Sequence, residues 1–120
     1  MNISGAEMEI MRIIWGADHK VTTKELRDKM PGRQLSTIST LTSRLIDKGV
    51  LRSEKKGRSH VQEYEAIITE AEYRQIQTRE FVAAIHGGSA VSLMSALFRN
   101  DDLTKEDIAE LKRLIEQKGV

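Results

Sequence analysis

With 120 residues, 39% of them hydrophobic and 31% charged, the chain has length for one domain or a small domain with an appendage, and a single Pro and 8 Gly argue against a long disordered linker. The absence of Cys excludes disulfides, thiolate chemistry and a cysteine-ligated metal; with no apolar run near the ~18 residues of a membrane span and no signal peptide at Met1-Asn2-Ile3-Ser4, a cytoplasmic protein without a membrane partner is expected. The net charge of +1 is uneven: residues 20–60 carry 11 Lys and Arg against 4 acids, a net +7, while residues 1–19 carry −2 and residues 61–120 carry −4, so one segment bears the electrostatic footprint of a polyanion-binding surface.

The first predicted helix opens at Ser4, with Glu7 three residues on. That spacing is a capping box, in which each side chain satisfies a backbone N–H of the first turn. Met8, Met11, Ile14 and Trp15 recur at helical spacing, widened by Ile10 and Ile13, and Gly16 ends the run. Trp15 lies on this stripe and is read as core. Thr22 and Glu25 repeat the capping box and open a short second helix with Leu26 and Met30 inward. Pro31-Gly32 stops it and turns the chain.

A third helix is predicted over Leu35 to Lys48, with Ser36 as its N-cap. At about 100° per residue, Leu35, Ile38, Leu41, Leu45 and Ile46 share one side. Ser36, Thr40, Ser43, Arg44 and Asp47 hold the other, flanked by Thr37 and Ser39. The outer face is thus short, hydroxyl-rich and basic at its end, which lets a helix approach a DNA groove closely and still offer hydrogen bonds. Three helices on short connections, the last with such a face, make a helix-turn-helix.

Gly49 ends the third helix. Val50 to Glu54 and His60 to Ile68 are predicted strands joined by Lys55-Lys56-Gly57-Arg58. Tyr64, Ala66 and Ile68 face one way, Glu63 and Glu65 the other. A hairpin directly after a helix-turn-helix is the wing of a winged helix, and its cationic tip suits the phosphate backbone. The candidate DNA-binding residues are therefore Ser36, Thr37, Ser39, Thr40, Ser43, Arg44, Lys48, Lys55, Lys56 and Arg58.

Beyond residue 68 the character changes. Thr69 and Glu72 cap a helix running to about Ile85, which His86-Gly87-Gly88 breaks. Ser89 caps a second helix, with Ala90, Leu93, Met94, Leu97 and Phe98 on one stripe. Asn100-Asp101-Asp102 turns, and Thr104 with Asp107 starts a last helix carrying Ile108, Leu111, Leu114 and Ile115. Three short helices make a poor core alone, and a second copy is the natural partner. The expected dimer residues are Tyr73, Ile76, Phe81, Leu93, Met94, Leu97, Phe98, Leu111, Leu114 and Ile115.

An enzyme finds little to use. His19, His60 and His86 are scattered without metal-ligand spacing, Glu63 and Glu65 read as a solvated strand edge, and Gly87-Gly88 lacks the longer pattern of a phosphate loop. Neither catalysis nor a cofactor is expected.

The first-helix run Glu7-Met8-Glu9-Ile10-Met11-Arg12-Ile13-Ile14-Trp15, the segment Ser36-Thr37-Ile38-Ser39-Thr40-Leu41-Thr42-Ser43-Arg44-Leu45 and Lys48-Gly49 resemble the bacterial penicillinase and methicillin-resistance repressors, with their copper-transport repressor relatives. The wing ending in Tyr64 and Gly87-Gly88 followed by Ser92-Leu93 also match, so the likeness spans nearly the whole chain. It implies a winged-helix dimer that binds palindromic operators and represses transcription, with Thr37, Ser39, Thr40 and Arg44 in or near the DNA contact surface and Ser36 at the helix start. Family members often carry a long basic residue where Ser36 or Ser39 stands, which points to a different operator. The resistance repressors are cleaved at an Asn–Phe bond in the penultimate helix. Ala96-Leu97 stands there in this chain, which does not support an inactivating protease. Without Cys, copper sensing through a cysteine cluster is excluded.

The expected fold is mainly α with a small β-hairpin: a winged helix-turn-helix over 1–68 and a helical dimerisation module over 69–120. The expected function is a homodimeric, sequence-specific repressor of double-stranded operator DNA. The competing reading is a helical adaptor whose winged helix binds protein.

Overall fold

In the computed structural model, which describes residues 2–58 and 60–119, local capping signals open most helices. α1 (Gly5–Gly16), α2 (Thr23–Lys29) and α6 (Lys105–Gln117) start with complete capping boxes on Ser4, Thr22 and Thr104. α4 (Glu70–Ile85) starts with the same reciprocal pair between Thr69 and Glu72, and α5 (Ala90–Arg99) has Ser89 as its cap. α3 (Leu35–Asp47) departs from this pattern. Its N-cap is Gln34, without a side-chain cap, and not the expected Ser36. Ser36 already lies inside the first turn, where its hydroxyl cannot reach the N–H groups a cap serves.

Contacts divide the chain into two compact units inside α4, residues 1–77 and 78–120, rather than at the start of that helix. In the first unit, α1, α2 and α3 pack around Ile10, Met11, Ile14, Leu26, Met30, Ile38, Leu41 and Leu45. A three-stranded antiparallel sheet, β1 (Val21–Thr22), β2 (Leu51–Lys55) and β3 (Gln62–Ala66), closes this core with Val21, Leu51 and Tyr64. The strand order is β1-β3-β2, with Val21 opposite Tyr64 and Ser53 opposite Tyr64 on the other side. β1 was not expected. Two residues carry no readable alternation, and only pairing with β3 makes them a strand.

The buried side of α3 is Ile38, Leu41, Thr42 and Leu45, whereas Leu35 and Ile46 are exposed, contrary to expectation. Thr42 lies within about 50° of the centre of the buried arc and Leu35 and Ile46 some 80° from it, at about 100° per residue. Burial of Thr42 is tolerated because its hydroxyl donates to the Ser39 carbonyl at 2.9 Å. Gly49 then turns the chain at φ 78°, a left-handed conformation that side chains resist.

Tyr73, expected at the dimer interface, is buried within one chain. It is 7% exposed, its ring 5.6 Å from that of Trp15, and its hydroxyl accepts from Gln77 at 2.7 Å. The Trp15 indole N–H donates to the Ile68 carbonyl at 2.9 Å, which brings the start of α4 to the end of α1. Tyr73 therefore packs within its own winged-helix unit and is not available to a second copy. We expect Tyr73→Ala to lower the thermal stability of the unit, by about 3 kcal/mol for loss of a buried aromatic, and to leave the oligomeric state unchanged. Calorimetry together with light scattering checks both.

The second unit is built differently. None of its described residues is buried, and neither α5 nor α6 contains a buried position. Phe81, Phe98, Leu114 and Ile115 are exposed, Leu93, Met94, Leu97 and Leu111 half-buried. Ile76, half-buried, belongs to the first unit. Ile85 and Val91 add exposed apolar surface that the sequence reading had not assigned to the interface.

Candidate nucleic-acid interface

The outer face of α3 carries Ser36, Thr37, Ser39, Thr40, Ser43 and Arg44, all exposed. Ser36, Thr37, Thr40, Leu41 and Arg44 line a shallow depression along it. Because Gln34 supplies no side-chain cap, the N–H groups of the first turn stay directed outward with the positive end of the helix dipole. A phosphate oxygen fits such an end. Thr40 is already partly committed. Its hydroxyl donates to the Ser36 carbonyl at 3.0 Å, which leaves its lone pairs for an incoming donor.

The wing separates its charges along its length. At its base the cations are neutralised by neighbours: Arg52 pairs with Glu65 directly opposite in the register, and Lys20 pairs with Glu54. The turn closes through the Lys56 N–H, which donates to the Val61 carbonyl at 2.9 Å, and Gly57 takes φ 57°. Lys55, Lys56 and Arg58 are exposed around it. Positive potential is thus concentrated at the tip, where a phosphate backbone would be met. Glu63 and Glu65, read as a solvated edge, are half-buried, and Glu65 serves the Arg52 pair.

Folding removes other cations from the count. Arg33 makes a two-pronged bond to Glu9, both distances 3.1 Å, which ties the α2–α3 turn to α1. Hydrogen bonding from Arg33 holds the Glu9 carboxyl below its ordinary value. Lys48, expected at the DNA surface, is engaged with Glu7 instead, at 2.8 Å to both carboxylate oxygens. Among the described residues, Lys20, Arg33, Lys48 and Arg52 are each held by an internal acid. Lys24, Arg27 and Lys29 on α2 are exposed. The sequence reading counted them in the basic excess but did not place them in the site. The +7 segment count was the signal that could have done so.

His19 sits between Asp18 and Glu25, at 2.9 and 2.6 Å. Hydrogen bonds to Asp18 and then to Glu25 raise its pKa above 6.5. Its contribution to stability is complete below that ordinary value and is lost as pH rises through the raised one.

A helix-turn-helix with an uncapped, hydroxyl-faced third helix and a cation-tipped wing is a DNA-binding arrangement. The penicillinase repressor family model matches residues 3–117 of the sequence. The chain belongs to the penicillinase repressor family. It is 32% identical to the penicillinase repressor of Bacillus licheniformis over 96% of this chain and 90% of that one. It is 34% identical to an uncharacterized 16.5 kDa protein in the ptsI 3′ region of Latilactobacillus sakei, over 98% of this chain and 80% of that one. The methicillin resistance regulatory protein MecI of Mammaliicoccus sciuri is 27% identical over 97% of this chain and 94% of that one.

This penicillinase repressor family member is a DNA-binding transcriptional repressor, and the family is not one of enzymes. The adaptor reading is thereby displaced. Among the described residues of the repressor, no single helix is long and apolar enough to cross a membrane.

Proposed function

We propose that the repressor acts as a homodimer on palindromic operators in the bacterial cytoplasm. Each protomer lays α3 in a major groove, with Ser36, Thr37, Ser39, Thr40 and Ser43 toward base edges and phosphates. Arg44, Lys55, Lys56 and Arg58 hold the backbone. The observation that carries this reading is the exposed hydroxyl face on an uncapped α3 that leads directly into a wing with Lys55, Lys56 and Arg58 exposed at its tip. Dimerisation through residues 78–120 is supported by a unit whose described residues include no buried position in a single chain. Pairing buries that surface and sets two recognition helices about 34–36 Å apart. The cleaved Asn–Phe pair is replaced by Ala96-Leu97, half-buried in α5, so release from DNA by that cleavage finds no support here.

Selection of duplexes from a random pool tests the reading. The wild-type repressor should retain a palindrome with half-site centres about one helical turn, or a multiple of it, apart. Thr40→Val should shift preference at one position per half-site, by about 1–3 kcal/mol where a base-edge bond is lost. A non-palindromic selection, or a Thr40→Val variant that selects the same duplexes with the same discrimination, would overturn it.

A further inference from the structure

The Glu7 side chain is 3% exposed, yet it is a carboxylate. Both its oxygens lie 2.8 Å from the Lys48 ammonium, and one also accepts the Ser4 N–H at 3.3 Å. Lys48 donates in addition to the Asn2 carbonyl at 2.6 Å. Burial raises the Glu7 pKa, but the bonds from Lys48 and Ser4 outweigh it, and the carboxyl rests below its ordinary value. Glu7 belongs to the first turn of α1, and Lys48 is the C-cap of α3. One ion pair, its carboxylate buried and its ammonium partly open to solvent, therefore joins the N-terminal end of the first helix to the C-terminal end of the recognition helix.

The structure assigns Glu7 and Lys48 as positioning residues for DNA reading: a clamp that fixes the tilt and register of α3. The assignment rests on the reading of α3 as the recognition helix. The apolar contacts of Ile38, Leu41 and Leu45 hold α3 against its neighbours, but burial is non-directional. An ion pair hydrogen-bonded through a buried carboxylate is directional, and fixing register is the best-attested use of buried polar groups. The magnitude decides why this matters. A 13-residue helix is roughly 20 Å long, so a tilt of about 10° about the clamp moves its far end by roughly 3.5 Å. A hydrogen bond to a base edge tolerates only a fraction of that. Lys48 would then act on DNA through Glu7, touching no phosphate itself.

The test uses the full chain and two duplexes of equal length: one selected by the wild-type repressor from a random pool, and a scrambled version of it. Wild-type discrimination between them, together with its change in Thr40→Val, tests the reading of α3 independently of Glu7 and Lys48, so the two failures are distinguishable. Glu7→Gln and Lys48→Met should each weaken binding to the selected duplex about tenfold, the loss of one base contact, and leave the scrambled duplex within about twofold. The double variant should be no worse than either single one, Lys48→Arg should restore discrimination, and the salt slope should not change. Lys48→Met leaves the Ser4 capping box intact, and the double variant leaves no buried unpaired charge, so a folding defect in one variant does not end the test. The opposite pattern defines a phosphate contact. Lys48→Met would then weaken both duplexes alike and reduce the salt slope by about 0.9 per protomer, while Glu7→Gln, by freeing a cation, would leave or raise affinity. That pattern, or unchanged discrimination in all variants, overturns the assignment.

Discussion

The variant Phe98→Asp/Leu114→Asp is expected to be a folded monomer that has lost at least a hundredfold of its affinity for a palindromic operator. Phe98 is 51% exposed and Leu114 49% exposed within one chain, so a carboxylate at either position stays hydrated in the monomer. Inside a dimer interface it would be stripped of water without a partner, which costs several kcal/mol per ion. The monomer would still present α3 and the wing. It would lose the linkage that makes the second half-site contact intramolecular, and such linkage is worth about 10²–10⁴ in affinity without any new contact. Light scattering reads the mass, and fluorescence anisotropy reads binding to the full palindrome and to a single half-site. The half-site affinity should be nearly unchanged. A variant that stays dimeric would move the interface away from the exposed faces of α5 and α6. A monomer that binds the palindrome as tightly as the parent would remove the need for pairing.

The second large effect concerns salt. The triple variant Lys55→Ala/Lys56→Ala/Arg58→Ala removes three cations per protomer from the wing tip. If each meets a phosphate, a dimer releases about six fewer counterions, and the slope of log affinity against log salt should flatten by about 5. The loss should be uniform across sequences, because phosphates carry no base identity. It should also shrink as salt is lowered. The result that would sink this role is a changed base preference with an unchanged slope. The base of the wing supplies the control. Arg52 already answers to Glu65, so Arg52→Ala should alter the slope far less.

Capping made the helices legible. Ser4, Thr22, Thr69, Ser89 and Thr104 each accept the N–H three residues on, at 3.0–3.2 Å, and each was recognisable from residue type and spacing. The same logic misplaced the start of α3. A Ser at position 36 looks like a cap, but the cap position falls two residues earlier, at Gln34, and the open end is part of what makes the surface suited to phosphate. Periodicity found the core of α3 and misassigned its edges, since a pattern of apolar residues does not say how wide an arc the neighbours will cover. Leu35, Ile46 and Thr42 all lie near the border of that arc.

The sequence by itself determined what depends on residues a few positions apart: the starts of every helix but α3, the hairpin turn at Gly57, the hydroxyl face of α3 and the basic excess of residues 20–60. Only the tertiary structure decided which charges remain available to DNA. Lys48 meets Glu7 across 41 residues, Lys20 meets Glu54 across 34, and Arg33 meets Glu9 across 24. It also turned Tyr73 inward against Trp15 and made Val21–Thr22 a strand. The reason is physical. Caps and turns are satisfied by atoms the chain holds close at all times, whereas an ion pair or an aromatic contact depends on where distant segments come to rest.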